Sequence, residues 1–318
     1  MNDTGSVTDP GRTTGSPTPE VAEVAEVAEV AERGLFRLGR EELIVLGSIQ
    51  GLSDQQLTLL VGGLSAWPKR DVASTAVHGL AARRLVARAQ GGVGVDPRLA
   101  ALLSLVASPQ LVLRLHRTTV AGPGAAIDAH DADQPTATLS TTAWYATPEA
   151  VVEVTGHAGA VYELRELALD ELIGRIVAYT GLRRIDAVPV ESASARRDGA
   201  ALTVPVDVLR EAGPAADRGD LATAVATLTP ALGATAATAL AAVLASGGPS
   251  YVISSHYRLD GGRLEGAVTA WIDAGEAGLW EVPAEPVDPD DPEAVLTFTP
   301  ASGRQLFDSI QEGLPGAA

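Results

Sequence analysis

The sequence contains no cysteine. Disulfide frameworks, thiolate metal sites and cysteine nucleophiles are therefore excluded, and the redox compartment is left open. Lysine and asparagine occur once each, as Lys69 and Asn2, against abundant Ala, Gly, Val and Arg, a bias that points to a GC-rich genome and carries no chemistry. Long apolar runs are also lacking. The stretch 221–245 is alanine-dominated and interrupted by Thr, Gly and Pro, whereas a membrane-spanning helix needs ~20 predominantly apolar residues. No basic segment followed by an apolar one opens the chain, so no signal peptide is read. Positive charge is scarce as well: a net charge of −17 disfavours nucleic acid or an anionic membrane as partner, because affinity for either comes from Lys and Arg neutralising phosphate. The expectation is a soluble cytoplasmic protein. With 318 residues, 46% of them hydrophobic, the chain has ample material for a core.

Catalytic signatures are equally absent. There is no G-x-S-x-G, no H-E-x-x-H and no Walker loop. The segment "GGVGVDP" has Gly92 and Gly94, but Pro97 stands where a dinucleotide-binding loop needs its third glycine, and a turn is the reading. "DAHDAD" sets Asp128, His130, Asp131 and Asp133 close together; without a further ligand it reads as a solvated acidic loop rather than a cation site. His116 and His256 occupy matching places in the chain, and structural equivalence explains them without chemistry. The expectation is no enzymatic activity, no cofactor and no metal.

What is present is a repeat. Thr-Ala-Trp occurs at 142–144 and again at 269–271, in a chain with only four tryptophans. Beyond each copy follow Glu-Ala (Glu149-Ala150, Glu276-Ala277) and a short apolar run (151–154, 279–282). Ala160-Val161 then matches Ala294-Val295, and the helical set Leu172, Ile173, Ile176 matches Leu306, Phe307, Ile310, all at a spacing of 134. Upstream, 109–113 before His116 matches 249–253 before His256 at a spacing of 140, and an apolar stretch precedes each (99–103, 240–244). One order, helix, strand, tryptophan strand, short strand, strand, helix, therefore runs twice. Two copies of so long a unit do not make a solenoid array.

Three segments are read from this pattern. Residues 1–33 form a disordered low-complexity extension: 1–20 are rich in Thr, Gly, Ser and Pro, and the Val-Ala-Glu period of three in 20–33 drifts by roughly 60° per repeat around a helix and makes no apolar stripe. Residues 34–182 form the first α+β half and 183–318 the second, the two together one compact domain. In the first half a strand at 35–38 leads to helices at 41–49, from the capping box Ser53-x-x-Gln56, at 71–90 and at 97–106 with Pro97 in its first turn. Strands follow at 111–119, 137–145, 151–154 and 161–164, and a helix at 167–179. In the second half a strand and turn at 187–206 precede helices at 206–212, 221–228 and 234–245. A hairpin from Tyr251 with an Asp-Gly turn comes next. The loop 121–135, with Gly122, Pro123, Gly124, Asp128, Asp131 and Asp133, is longer than a hairpin needs; its counterpart is the short turn Asp260-Gly261-Gly262.

Several of these segments, "FRLGREELIVL", "LAARRLVARA", "VDPRLAALLSLVASP", "LVLRLHR", "AVTAWIDAGEAGLWEV" and "LTFTPASGRQLFDSI", resemble the EspG proteins, cytosolic chaperones of type VII (ESX) secretion in actinobacteria. The resemblance spans 35–314 in element order. Where family members often carry a Gly-Arg-aromatic turn, this chain has Ala277-Gly278-Leu279-Trp280. The resemblance implies an α+β fold of two pseudo-symmetric halves, with a central antiparallel sheet flanked by helical bundles. It implies no enzymatic activity, and as partner a helical secretion substrate, a PE/PPE-like heterodimer or a WXG-like protein, kept soluble until export. It places binding on the sheet, on the early-strand loop, here Gly122, Pro123, Gly124, Asp128, Asp131 and Asp133, and on the C-terminal helical part. The alternative is a winged-helix-like DNA-binding regulator using residues 69–98, where six basic residues face only Asp71 and Asp96. A third class, an enzyme with an unrecognised site, would rest on the loops and the two histidines.

Because residues 1–32 offer little apolar area to bury, deleting them is expected to leave the thermal midpoint of unfolding unchanged. A fall of many degrees in a calorimetric scan would show that the Val-Ala-Glu stretch docks on the body.

Overall fold

The computed structural model describes residues 34–62, 67–89, 92–120, 137–157, 160–182, 201–258, 264–284, 287–288, 291 and 293–315. The extension 1–33 and the loop 121–135, with all six of its candidate site residues, lie outside the described residues.

The first half opens with β1 (Leu35–Gly39) and helices α1 (Arg40–Ile49), α2 (Asp54–Leu60) and α3 (Arg70–Ala82). A hairpin of β2 (Val86–Ala89) and β3 (Gly92–Val95) leads into α4 (Pro97–Ala107). The strands β4 (Leu111–Val120), β5 (Ala137–Ala146), β6 (Val151–His157) and β7 (Val161–Leu167) follow, then α5 (Glu171–Thr180). The second half runs β8 (Leu202–Pro205), α6 (Val206–Asp217), α7 (Leu221–Leu232), α8 (Ala234–Ala245), β9 (Ser250–Arg258), β10 (Leu264–Asp273), β11 (Leu279–Val282), β12 (Val295–Ala301) and α9 (Gly303–Glu312).

Local chemistry explains the boundaries. Ser53 accepts the Gln56 amide at 3.3 Å while the Gln56 side chain accepts the Ser53 amide at 2.8 Å, the capping box that starts α2. Ser302 and Gln305 repeat the device at α9, and the Asp96 carboxylate caps α4 ahead of Pro97. One expected helix ends early and gives way to a strand. The span 71–90 is helical only to Ala82, because Arg84 adopts φ 61°. The Leu85 amide then bonds the Leu80 carbonyl at 2.9 Å and the Arg84 amide the Ala81 carbonyl at 3.0 Å. This is a Schellman stop with arginine in the place usually held by glycine, so no glycine or proline marks it. "GGVGV", expected as a turn, supplies strand β3. The helices expected to end at Ala212 and Leu228 continue through Pro214 and Pro230. An internal proline costs about 3 kcal/mol; in α6 the residues that follow it, Ala215 and Ala216, are buried in the helical cluster, and their packing works against that cost.

Among the described residues ten strands form one antiparallel sheet in the order β1-β7-β6-β5-β4-β9-β10-β11-β12-β8. Read outward from the β4–β9 pair the order is the same in both directions, β4 with β9, β5 with β10, β6 with β11, β7 with β12 and β1 with β8. The fold is α+β with two pseudo-symmetric halves. The repeat spacing drops from 140 to 127 across the first hairpin because the connection 121–136 is longer than 259–263, and rises to 134 because 283–294 is longer than 158–160. The correspondence extends further than the sequence repeat. The Arg40 amide bonds the Ala160 carbonyl at 3.0 Å, and the Val206 amide bonds the Ala294 carbonyl at 2.9 Å, so β1–α1 and β8–α6 open the two halves in the same way.

Period-2 alternation divides the side chains between two faces. Leu111, Leu113 and Leu115 point to the back face, where α5 and α9 pack and where Trp144 and Trp271, both 0% exposed, sit on equivalent strands in one apolar cluster. On the front face α1–α4 cover β1, β7, β6 and part of β5, with Leu38, Leu43, Leu80, Leu103 and Leu164 in their core. The helices α6–α8 cover β8, β12 and β11, with Leu228, Leu240, Trp280 and Phe298 in theirs.

Polar chemistry on the back face differs between the halves. Trp144 Nε1 donates to Glu153 Oε2 at 3.0 Å; Glu153, 3% exposed, also receives Arg175 Nε at 2.9 Å and the Tyr179 hydroxyl at 3.3 Å. In the second half Glu281 stands opposite Trp271 in register, but Arg175 and Tyr179 are replaced by Ser309 and Gly313. Trp271 Nε1 is buried with no hydrogen-bond partner among the described residues. Hydrogen bonds to charged groups are worth about 1.5–3 kcal/mol. Trp144→Phe is therefore expected to lower the free energy of urea unfolding by about that much more than Trp271→Phe. Equal losses, or a larger loss for Trp271→Phe, would contradict this hydrogen-bond assignment.

Candidate functional site

Between the two helical clusters the front face of the sheet is left open. Its floor comes from alternate residues of the four middle strands, and the pairings fix its rows: Ala143–Arg114–Ser254–Val268, Thr141–His116–Val252–Ala270 and Leu139–Thr118–Ser250–Ile272, with Ala143 and Ile272 at its margins packed into the first and second helical clusters and Ala270 buried. Their alternates, Leu113, Leu115 and Trp144, are locked into the back-face core, so a slip by one residue would bury the polar set and expose the leucines. Leu139 is 55% and Val268 47% exposed, a large apolar side chain on each side of the central pair. At the near wall Leu59 of α2 is 45% exposed. It separates two depressions: one of about 430 Å³ toward Leu139, Ala143 and Tyr162, and one of about 470 Å³ toward Arg114, Tyr145 and Arg258. A third, of about 710 Å³ and mostly apolar, lies against Trp280 between the second helical cluster and β11.

The pseudo-twofold axis passes between Arg114 and Ser254, which pair across β4 and β9. His116 and His256 are symmetry mates on this face, four residues apart along the paired strands, or roughly 13 Å at a rise of ~3.3 Å per residue. They form no dyad. Burial and, after it, the charge of Arg114 hold His116 below its ordinary value of 6.5, so its imidazole is neutral at neutral pH, and it stands 3.2 Å from the Thr141 hydroxyl. Among the described residues no group of three His, Asp or Glu side chains is placed to hold a metal ion, and no helix is long and apolar enough to cross a membrane.

The basic segment 69–98 maps to α3, the β2–β3 hairpin and the start of α4. Its order of helices and hairpin resembles a winged helix, yet between Arg70 and Arg83 helix α3 exposes Val72, Ser74, Thr75, His78, Ala81 and Ala82. Arg83 is spent within the fold, on Glu42 at 2.6 Å and the Arg37 carbonyl at 2.8 Å. A helix that reads DNA needs cations beside its groove-facing side chains, and this one has none between its ends.

No family model matches the sequence, and neither does any curated protein. A structure comparison does find a likeness. The Mycobacterium tuberculosis type VII secretion system chaperone EspG5, solved in complex with a PE25–PPE41 dimer, aligns over 89% of this chain and 97% of its own at a TM-score of 0.51 and 14% identity. The chain has the EspG fold. Identity this low carries architecture and not individual contacts. The sequence residues expected to bind, Gly122 to Asp133, are not among those described. The described candidates Leu59, Leu139, Val268 and Arg114 were not singled out by sequence reasoning. Their one advance signal was the alternation in "LVLRLHR", which sets Arg114 and His116 on the face opposite three leucines.

Proposed function

We propose that the protein is a cytosolic, non-enzymatic chaperone of the EspG type that holds a helical PE/PPE-like segment of a type VII secretion substrate on the open centre of its sheet. The observation that carries this reading is the uncovered front face itself. Four strands present Leu139, Val268 and a small, mixed floor between two helical walls. A packed fold gains nothing from leaving such a channel open. An amphipathic helix laid in it would bury its apolar stripe on these side chains while its polar side met the rim. The likeness to EspG5, seen in complex with PE25–PPE41, supports the partner class. Arg83 is held in an ion pair and Arg84 in the helix stop, and the exposed face of α3 between them and Arg70 carries no arginine or lysine, which disfavours the DNA reading.

Leu139→Glu and Val268→Glu, alone and together, place a charge on exposed strand positions and are expected to leave the thermal midpoint unchanged. When the chain is co-expressed with candidate PE–PPE pairs from its own genome, the double variant should lose roughly tenfold or more in affinity for the pair that the wild type retains. Retention of that pair with undiminished affinity would overturn the assignment of the face.

A further inference from the structure

The depression beside Arg114 runs against the charge of the whole chain. Net charge is −17, yet the described lining of this cavity contains Arg114, His256 and Arg258 and no acidic side chain. Arg114 rises from the middle of β4, half-buried, and its Nε is buried with no hydrogen-bond partner among the described residues. Its Nη2 has only a long contact, 3.5 Å, to the Tyr145 hydroxyl. Burial pushes the Tyr145 phenol up, so it is a neutral hydroxyl and no counter-ion. A guanidinium offers five N–H donors in a planar fork shaped for an oxyanion, and an unsatisfied buried donor costs about 1–3 kcal/mol. The remaining lining sets Leu59 on α2, Val106 in α4 and Pro109 just beyond it beside the neutral polar side chains of Gln56, Ser108 and Gln110. At about 470 Å³ the space falls within the usual range of small-ligand sites, roughly 300–1,000 Å³.

We propose that this cavity binds a carboxylate carried on an apolar stem. Arg114 grips the carboxylate, Arg258 holds the mouth positive beside His256, and Leu59 and Val106 receive the stem. A cation is repelled here and a neutral stem leaves the fork empty, which sets the selectivity. The carboxylate has two possible sources, a free branched-chain acid or an Asp or Glu side chain flanked by an apolar residue in a bound polypeptide. The site does not depend on the chaperone reading, because a free acid needs no protein partner. The duplication supplies an internal control, since the symmetry mate of Arg114 is Ser254 and the second half has no equivalent fork.

The test uses the full chain, labelled with nitrogen-15, with the arginine Nε–Hε signals followed at constant ionic strength. One arm titrates 4-methylpentanoate against 4-methylpentanol and isoamylammonium; the other titrates acetyl-Leu-Glu-Leu-amide against its Gln counterpart. The expected result is a saturable shift of the Arg114 signal with at least one carboxylate probe and none with the three controls. Affinity should fall tenfold or more in Arg114→Gln. Arg258→Glu, an exposed substitution at the mouth, should weaken binding to a similar degree with an unchanged thermal midpoint, and decides the matter if Arg114→Gln fails to fold. Response to the free acid alone assigns a small-molecule ligand, and response to the peptide alone assigns a side chain. Silence of Arg114 toward both, or binding unaltered in the variants, overturns the proposal.

Discussion

The pairing of β4 with β9 is the contact on which the rest of the architecture depends. Each half ends in a row of open backbone amides and carbonyls at its innermost strand, and an exposed edge of that length is an invitation to aggregation. Joining the two edges antiparallel, with Arg114 opposite Ser254 and Leu115 opposite Ile253, satisfies both at once and sets the pseudo-twofold axis. Two consequences follow from that one register. On the back face it brings the tryptophan strands and the closing helices α5 and α9 of both halves into a single core. On the front face it places the helical clusters at opposite ends, since each covers the outer strands of its own half, and the centre stays open.

Duplication preserved packing and let chemistry diverge. Trp144 and Trp271 are equally buried, and each faces a glutamate in register. Only the first half completes the network, through Arg175 and Tyr179, whose counterparts are Ser309 and Gly313. Gly313 sits in a tight place, where a Cβ would stand 3.0 Å from the Ala267 methyl and 3.2 Å from Ser255 Oγ and would require both to give by a few tenths of an ångström. The front face diverged in the same manner, with Arg114 against Ser254 at the axis. A symmetric scaffold thus carries an asymmetric surface, which suits a partner that is itself not symmetric.

Much of the frame was legible in the sequence. The repeated Thr-Ala-Trp, the spacing of 134 between Val161 and Val295 and the capping box at Ser53 each correspond to an element of the structure, because they rest on period, turn and capping rules that act locally. Three things were not. The stop after Ala82 is made by Arg84 in a left-handed conformation that arginine rarely adopts, so residue type gave no warning. The equivalence of β1–α1 with β8–α6 lies in backbone hydrogen bonds, and in that register only Leu43 with Leu209 and Gly47 with Gly213 coincide between the two helices, too little to announce it. The cavity around Arg114 draws on α2, α4, β4, β5 and β9, segments far apart in the chain, and no contiguous motif announces it. Conversely, the long loop 121–135 was conspicuous by its length alone, and the described residues do not include it.

On the proposed reading, the open middle of the sheet is the binding face. The natural absence of cysteine permits a direct measurement, in which single cysteines at Leu139, Val268 and, as a remote control on the turn before α5, Leu169 are labelled with a maleimide before and after addition of whichever candidate PE–PPE pair the wild type retains. All three positions are exposed in the free chain, at 55%, 47% and 47%. The partner is expected to slow labelling at 139 and 268 by tenfold or more and to leave 169 unchanged. Labelling at 139 and 268 that proceeds at the free rate in the saturated complex would contradict it.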